Sequence, residues 1–396
     1  MRSVSTHRNN GMDLPLLFYG DSYRFPDLYH VTRFLAPEPF IALEQGAERI
    51  VIINSLEQER AEKESRATAV RNVDEFGHRE LAAQGLPSDE VTATVIERFL
   101  EERSVSRVGV PRSFPIGLAD QLRGRGIELV VAQDLEARRR AKRPDEIGSL
   151  EAAQRATEEA WAAAVELLRH AGVAPDGTLR LDGEVFTAER LRAVVERELL
   201  ARDCHVPEGT ITAPGTQAAD PHASGTGPLR ANEPIVMDIY PQHRSRYYAD
   251  MTRTVSKGQP SDEICRMYEV VLRAQEAAIA KLRPGVTGKE IHELVEDIIF
   301  EAGYDTLRPG QRHRPDDPVV RGFIHGTGHG VGLEIHEAPS ISRGRMGLVP
   351  LQPGDVVTIE PGIYDPEIGG VRLEDMLVIT ETGARNLTRA PKELVV

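Results

Sequence analysis

Apolar positions along the chain follow two rhythms, one of short alternating runs and one of long helical stripes. Near the start, Phe40 to Leu43 and Arg49 to Asn54 flank the turn-prone Glu44-Gln45-Gly46, which predicts two strands. Ser88 is placed to cap a helix through Ser104. Arg107 to Val110 is a short apolar run, Ile116 to Leu122 is helical, and Ile127 to Ala132 is a further strand. Strand, helix, strand implies an α/β module whose sheet is covered by helices. Downstream, Pro144 to His170 and Thr187 to Arg202 are helical and lead into strand-like stretches up to Ser256. The order then repeats. Helices at Asp262 to Leu282 and Thr287 to Ala302 precede strands at Val356 to Glu360 and Val371 to Ile379. Two helices followed by strands, twice over, predict a pseudo-symmetric α+β domain with a site between its halves.

The boundary between the modules falls in ARRRAKRPDEIG, where five basic residues run from Arg138 to Arg143 and Pro144 sits at a helix start. This run reads as a solvated linker facing an acidic neighbour rather than as a nucleic-acid contact. The domains are therefore expected at 1–140 and 141–396. A net charge of −14 argues against nucleic-acid partners. Cys204 and Cys265 are the only cysteines, too few for a disulfide framework and without zinc-type spacing. Residues 1–21 hold no signal-like apolar run, and no stretch reaches the ~18 apolar residues of a membrane span, so a cytoplasmic protein is expected.

Four acids interrupt the apolar strands. Ile235 to Tyr240 (IVMDIY) and Tyr247 to Ser256 (YYADMTRTVS) form a hairpin whose turn, centred on Arg244, puts Asp238 opposite Asp250. Facing carboxylates repel by about 4 kcal/mol at 4 Å and an effective dielectric of 20, so a cation between them is expected. Glu360 ends the apolar run VVTIEPG, and Glu374 is read within the strand VRLEDMLVI, where an ion pair with Arg372 is the structural alternative. Between the pairs lies HGTGHGVGLEIHE, whose glycines permit close backbone approach and whose histidines make metal binding a better reading than phosphate cradling. One imidazole and four carboxylates form a hard set suited to Mn²⁺, Fe²⁺ or Co²⁺, and two divalent cations balance four carboxylates.

In combination, Asp238 and Asp250 eleven residues apart, HGTGHGVGLEIHE, TIEPGIY and GGVRLED resemble the pita-bread metallopeptidases, in the branch of Xaa-Pro aminopeptidases and prolidases. The resemblance covers roughly residues 144 to 390, and the first module resembles the creatinase-type N-domain. It implies a pita-bread fold, a homodimer, and cleavage of the bond before proline by a metal-bridged hydroxide. It further implies that Asp238 binds one of two divalent ions, Mn²⁺ first with Co²⁺, Fe²⁺ or Zn²⁺ as alternatives. Asp250 and Glu374 then bridge both ions, and His329 and Glu360 bind the other. By the same comparison His222 and His336 face the substrate. Glu360 is given the proton-transfer role and Arg372 a supporting one beside Asp238 or Glu374, while His325 is read as structural. Tyr240 stands where the family commonly has a small residue, so it either crowds a metal face or lines the substrate pocket. No counterpart of the prolidase residue that pairs with the substrate carboxylate is evident beyond the nearby Arg343 and Arg345. The alternatives are a non-catalytic peptide-binding protein on this fold, a lyase using the same metals, and a metal-free creatinase-like hydrolase. A methionine aminopeptidase is disfavoured by the long N-terminal module.

Overall fold

The structure, a computed structural model, describes residues 14–313 and 321–396; residues 1–13 of the stretch examined for a signal segment lie outside the described residues. The chain divides into two compact units between Arg138 and Arg139.

The first unit is built on a six-stranded mixed sheet ordered Ala69–Asn72, Glu48–Ile53, Phe40–Gln45, Leu16–Gly20, Arg107–Val110, Glu128–Val131. The sequence pattern missed the strands Leu16–Gly20 and Ala69–Asn72. The expected hairpin is present with longer arms, because Gln45 pairs with Glu48 and the turn contracts to Gly46 and Ala47. Gly46 takes φ +59, a left-handed torsion that glycine adopts without steric penalty. The helix Ser88–Glu102 starts one residue earlier than expected: Pro87 is its N-cap, and Ser88 does not cap it. Helical spacing brings Ile96, Phe99 and Leu100 onto the sheet beside Leu17, Ile41 and Val108.

The second unit contains two helix-and-sheet halves. In one, Pro144–His170 and Ala188–Leu200 bury Trp161, Val165, Leu191 and Val195 against Met237 and Met251. Thr187 starts the second helix by accepting a hydrogen bond from Arg190 N. In the other, Asp262–Lys281 and Gly288–Glu301 bury Met267, Val271, Ile291 and Val295 against Val357, Ile359 and Leu377. Each such side chain contributes about 1.5–3 kcal/mol through burial. The sheets are a three-stranded antiparallel one (Ile211–Pro214, Ile235–Ile239, Met251–Val255) and a five-stranded one. The latter has the order Glu337–Ile341, Gly328–Gly330, Val356–Ile359, Asp375–Ile379, Ala384–Asn386. The hydrogen bonds Glu374 N to Thr252 O (3.0 Å) and Thr254 Oγ1 to Arg372 O (3.0 Å) join the halves.

Two sequence expectations about this unit are corrected. The basic run faces acidic neighbours, as expected, but is not solvated: Arg139, Arg140 and Lys142 are buried and paired with Glu334, Asp355 and Glu337 of the same unit. Composition cannot distinguish a charge run facing water from one facing buried acids. The hairpin register is also shifted. Asp238 pairs with Thr252, and Gln242 bridges Tyr248, so the turn centres on Ser245 and Asp250 lies diagonal to Asp238. Arg246, at φ +74, absorbs the difference within the turn.

Candidate metal centre

Strands or their immediate ends place the five expected ligands. Asp238 sits near the end of Ile235–Ile239, and Asp250 immediately precedes Met251–Val255. His329 is central in Gly328–Gly330. Glu360 follows Val356–Ile359, where Pro361 stops the strand. Glu374, expected inside a strand, instead lies in the break between Gly369–Arg372 and Asp375–Ile379. That break lets Glu374 depart from strict side-chain alternation.

The glycines of the histidine loop are required by packing. A Cβ on Gly328 would lie 2.0 Å from the carbonyl oxygen of Thr358, and one on Gly330 would lie 2.4 Å from that of Ala338. Close approach seats His329 between its neighbouring strands. Its Nδ1–H donates to the Gly330 carbonyl (3.1 Å), which turns the Nε2 lone pair towards Asp250 and Glu360, each 3.5 Å away. A lone pair aimed at two carboxylates is repulsive unless a cation lies between them. Candidate ligand atoms of Asp250, His329 and Glu374 all fall within 4.8 Å of one another.

The electrostatics point the same way. Burial, followed by repulsion from Glu374 and Asp238, pushes Asp250 well above the usual carboxylate range; burial and Glu374 do the same to Glu360. Burial and Asp238 raise Glu374 to about 7. Burial holds His329 neutral, at about 3, which is the form that ligates a metal. Asp238 Oδ1 and Glu374 Oε1 are buried without hydrogen-bond partners. Such orphaned oxygens in a repulsive acid cluster fit divalent cations, which Asp238, Asp250, His329, Glu360 and Glu374 would hold.

Around them is a cavity of about 520 Å³, lined also by His222, His336, Tyr240, His325 and Arg372. His336 and His222 are both exposed, and the His336 ring lies edge-on to His329 with centroids 4.3 Å apart. Tyr240 lines the cavity, where burial and then Asp238 raise its hydroxyl to about 12. The Arg372 guanidinium does not pair with Glu374, the alternative read from sequence. It donates to Asp238 Oδ2 (2.8 Å), Thr252 Oγ1 (3.2 Å) and the Tyr364 hydroxyl (2.9 Å). Thr252 in turn donates to Glu374 Oε2 at 2.9 Å.

Sequence reasoning missed Thr252, Tyr364 and Glu208, the last of which also lines the cavity. Only the TR of DMTRT, adjacent to Asp250, gave any signal for Thr252. His325, read as structural, lines the cavity and also has a structural role. Its Nδ1–H donates to Gly326 O (2.7 Å), leaving Nε2 to accept from Tyr364 (2.8 Å), while burial and Arg372 hold the ring neutral, at about 3. Arg343 is committed to Glu293 and Glu296, and neither it nor Arg345 lines the cavity.

An acid cluster that needs cations, beside histidines on an α+β scaffold, defines a metal-dependent enzyme. Metallopeptidase family M24 matches residues 148–381, and the chain belongs to that family, with its pita-bread fold. The chain is 33% identical to the uncharacterized peptidase YqhT of Bacillus subtilis over 310 residues, 78% of each chain. It is 40% identical to the Xaa-Pro dipeptidase of Pyrococcus furiosus over 187 residues, about half of either chain (47% and 49%). Among solved structures, the X-Pro aminopeptidase from Thermotoga maritima MSB8 superposes with a TM-score of 0.77 at 26% identity. That match covers 96% of this chain and 97% of the other.

Proposed function

We propose that this metallopeptidase hydrolyses the peptide bond preceding proline, as an Xaa-Pro dipeptidase or aminopeptidase. The observation that carries the reading is the convergence of four carboxylates and a neutral His329 on one cavity whose rim bears His222 and His336. The names of the relatives, one a dipeptidase and one an aminopeptidase, support the substrate class. Two divalent cations, when bound, supply Lewis acidity for the scissile carbonyl and lower the pKa of water. Mn²⁺ is the expected species because the donors are mostly carboxylate oxygens.

The remaining work falls to the chain's own residues. Glu360 takes a proton from the attacking water and delivers it to the proline nitrogen. That nitrogen carries no hydrogen and must be protonated to leave. His336 or His222 donates to the oxygen on which charge develops. Arg372, held by Tyr364 and Thr252, fixes Asp238 rather than touching substrate. A creatinase-type role for the first unit, a homodimer and a cytoplasmic location belong to the same proposal and are checked by sedimentation and fractionation.

Turnover of Xaa-Pro dipeptides and Xaa-Pro-Yaa tripeptides, with added Mn²⁺ and with chelator, tests the reading. Chelator-sensitive release of the first residue from either is expected. Its absence from both would favour a lyase or a non-catalytic peptide-binding protein.

A further inference from the structure

The basic run at Arg139 to Lys142 meets the acids that bracket His336. Arg139 donates to Glu334, and its other guanidinium nitrogen lies 3.4 Å from Glu337 Oε2. Lys142 Nζ donates to Glu337 Oε1 and to the carbonyl of Arg139 (2.8 Å). The Lys142 and Glu337 side chains are each only 2% exposed. Backbone contacts seat the run as well: Lys142 N donates to Gly354 O at 2.9 Å, and Gly354 takes φ +88.

His336 lies between these anchored acids. It is exposed, and its ring meets His329 edge-on. Its position therefore depends on the backbone on either side. Glu337 is buried in register with Gly330, the residue after His329. The Glu337 carboxylate fills the place a side chain on residue 332 would occupy, 2.2 Å from an ideal Cβ on Gly332. Gly332 in turn donates to Glu334 O (3.1 Å) and accepts from Tyr248 N (2.9 Å), two residues before Asp250. Basic residues, bracketing acids and glycine thus form one connected seat beneath the loop.

We propose that Arg139 and Lys142 are positioning residues for His336: they grip Glu334 and Glu337, and so fix the imidazole over the substrate cavity. The proposal rests on the peptidase reading for its catalytic consequence, and on geometry alone for the placement of His336. A buried ion pair that only tied chain segments together would affect folding and leave the loop's chemistry unchanged.

The test uses the full-length, Mn²⁺-loaded protein and the variants Arg139→Gln, Arg139→Lys, Glu334→Gln and Lys142→Met. Three readouts are taken: kcat and KM on an Xaa-Pro dipeptide, metal stoichiometry, and the rate at which diethylpyrocarbonate modifies His336, followed by peptide mass spectrometry. Arg139→Gln and Glu334→Gln should lower kcat about tenfold with KM within about threefold and the metal retained, because a loosened group loses its reactive alignment. His336 modification should quicken severalfold, and Arg139→Lys should recover most of both. Glu334 is half-exposed, so its variant keeps the test open if Lys142→Met fails to fold. Wild-type kcat and wild-type labelling in folded Arg139→Gln and Glu334→Gln would overturn the proposal, as would a kcat loss that only tracks lost metal. If the unmodified protein cleaves no Xaa-Pro substrate, the function reading fails, and the labelling rates still decide the positioning claim.

Discussion

Stripping the cations with a chelator should make the fold sensitive to rising pH. Asp250 and Glu360 are held well above ordinary carboxylate values by burial and neighbouring acids, and Glu374 rises from 4.5 to about 7. An acid with a higher pKa folded than unfolded binds more protons in the folded state, so stability falls as pH rises between the two values. His329 and His325 act oppositely. Both drop from 6.5 to about 3, so the unfolded state binds their protons first, and their contribution increases with pH up to about 6.5. Above that point the histidine effect is complete and the carboxylates act alone. Each acid still protonated contributes a slope of about 1.4 kcal/mol per pH unit. Glu374, titrating near 7, adds roughly 1 kcal/mol between pH 6.5 and about 8.5. Asp250 and Glu360, raised in the same direction, add to that loss wherever they remain protonated. At roughly 2–4 °C per kcal/mol for a unit of this size, Glu374 alone lowers the melting temperature by about 2–4 °C. Cations replace protons as counter-charge, so the Mn²⁺-loaded protein should vary little over the same range. Scanning calorimetry of both forms measures the difference. A chelated melting temperature that stays flat or rises above pH 6.5 would refute the reasoning.

Further outcomes follow from individual residues. Glu360→Ala or His329→Ala should abolish peptide turnover while circular dichroism stays native, and full activity in either folded variant would remove that residue from the site. Arg372→Lys, which cannot reproduce the contacts to Asp238, Thr252 and Tyr364, should weaken metal binding by about 10–100-fold in a calorimetric titration; unchanged affinity would deny it the supporting role. In Gly328→Ala the new methyl would lie 2.0 Å from Thr358 O, so a destabilisation of about 1–3 kcal/mol and reduced metal content are expected from denaturation and metal analysis. Cys204, buried and pushed to about 12, should stay unmodified by thiol reagents while the partly exposed Cys265 reacts, as mass spectrometry of the native protein would read.

Much of the second unit was legible because its helices carry strong local signals. Pro144 opens the first helix and Thr187 caps the second. Thr287 with Glu290 forms a capping box, and apolar stripes face one way. In the first unit, Leu16–Gly20 and Ala69–Asn72 escaped notice. One is a short apolar run preceded by a proline; the other, Ala-Val-Arg-Asn, is only four residues long and half polar, and joins the sheet by pairing beside Glu48–Ile53. The site divides in the same way. Residue type and motif order marked Asp238, Asp250, His329, Glu360 and Glu374, because ionisable groups in apolar strands require a reason to be there.

Register and partner choice were decided elsewhere. A two-residue slip keeps every side chain on the same face, so the apolar pattern fitted either register. Only the turn around Ser245 set Asp250 diagonal to Asp238. Arg372 lies two residues from Glu374 in sequence yet bonds Asp238, and Arg139 and Lys142 find acids nearly two hundred residues away. Sequence by itself thus nominated the side chains proposed to carry the chemistry, since residue type within local patterns singles them out. Tertiary structure decided how they are aimed and what holds them, because ion pairs between distant strands depend on packing that no local window contains.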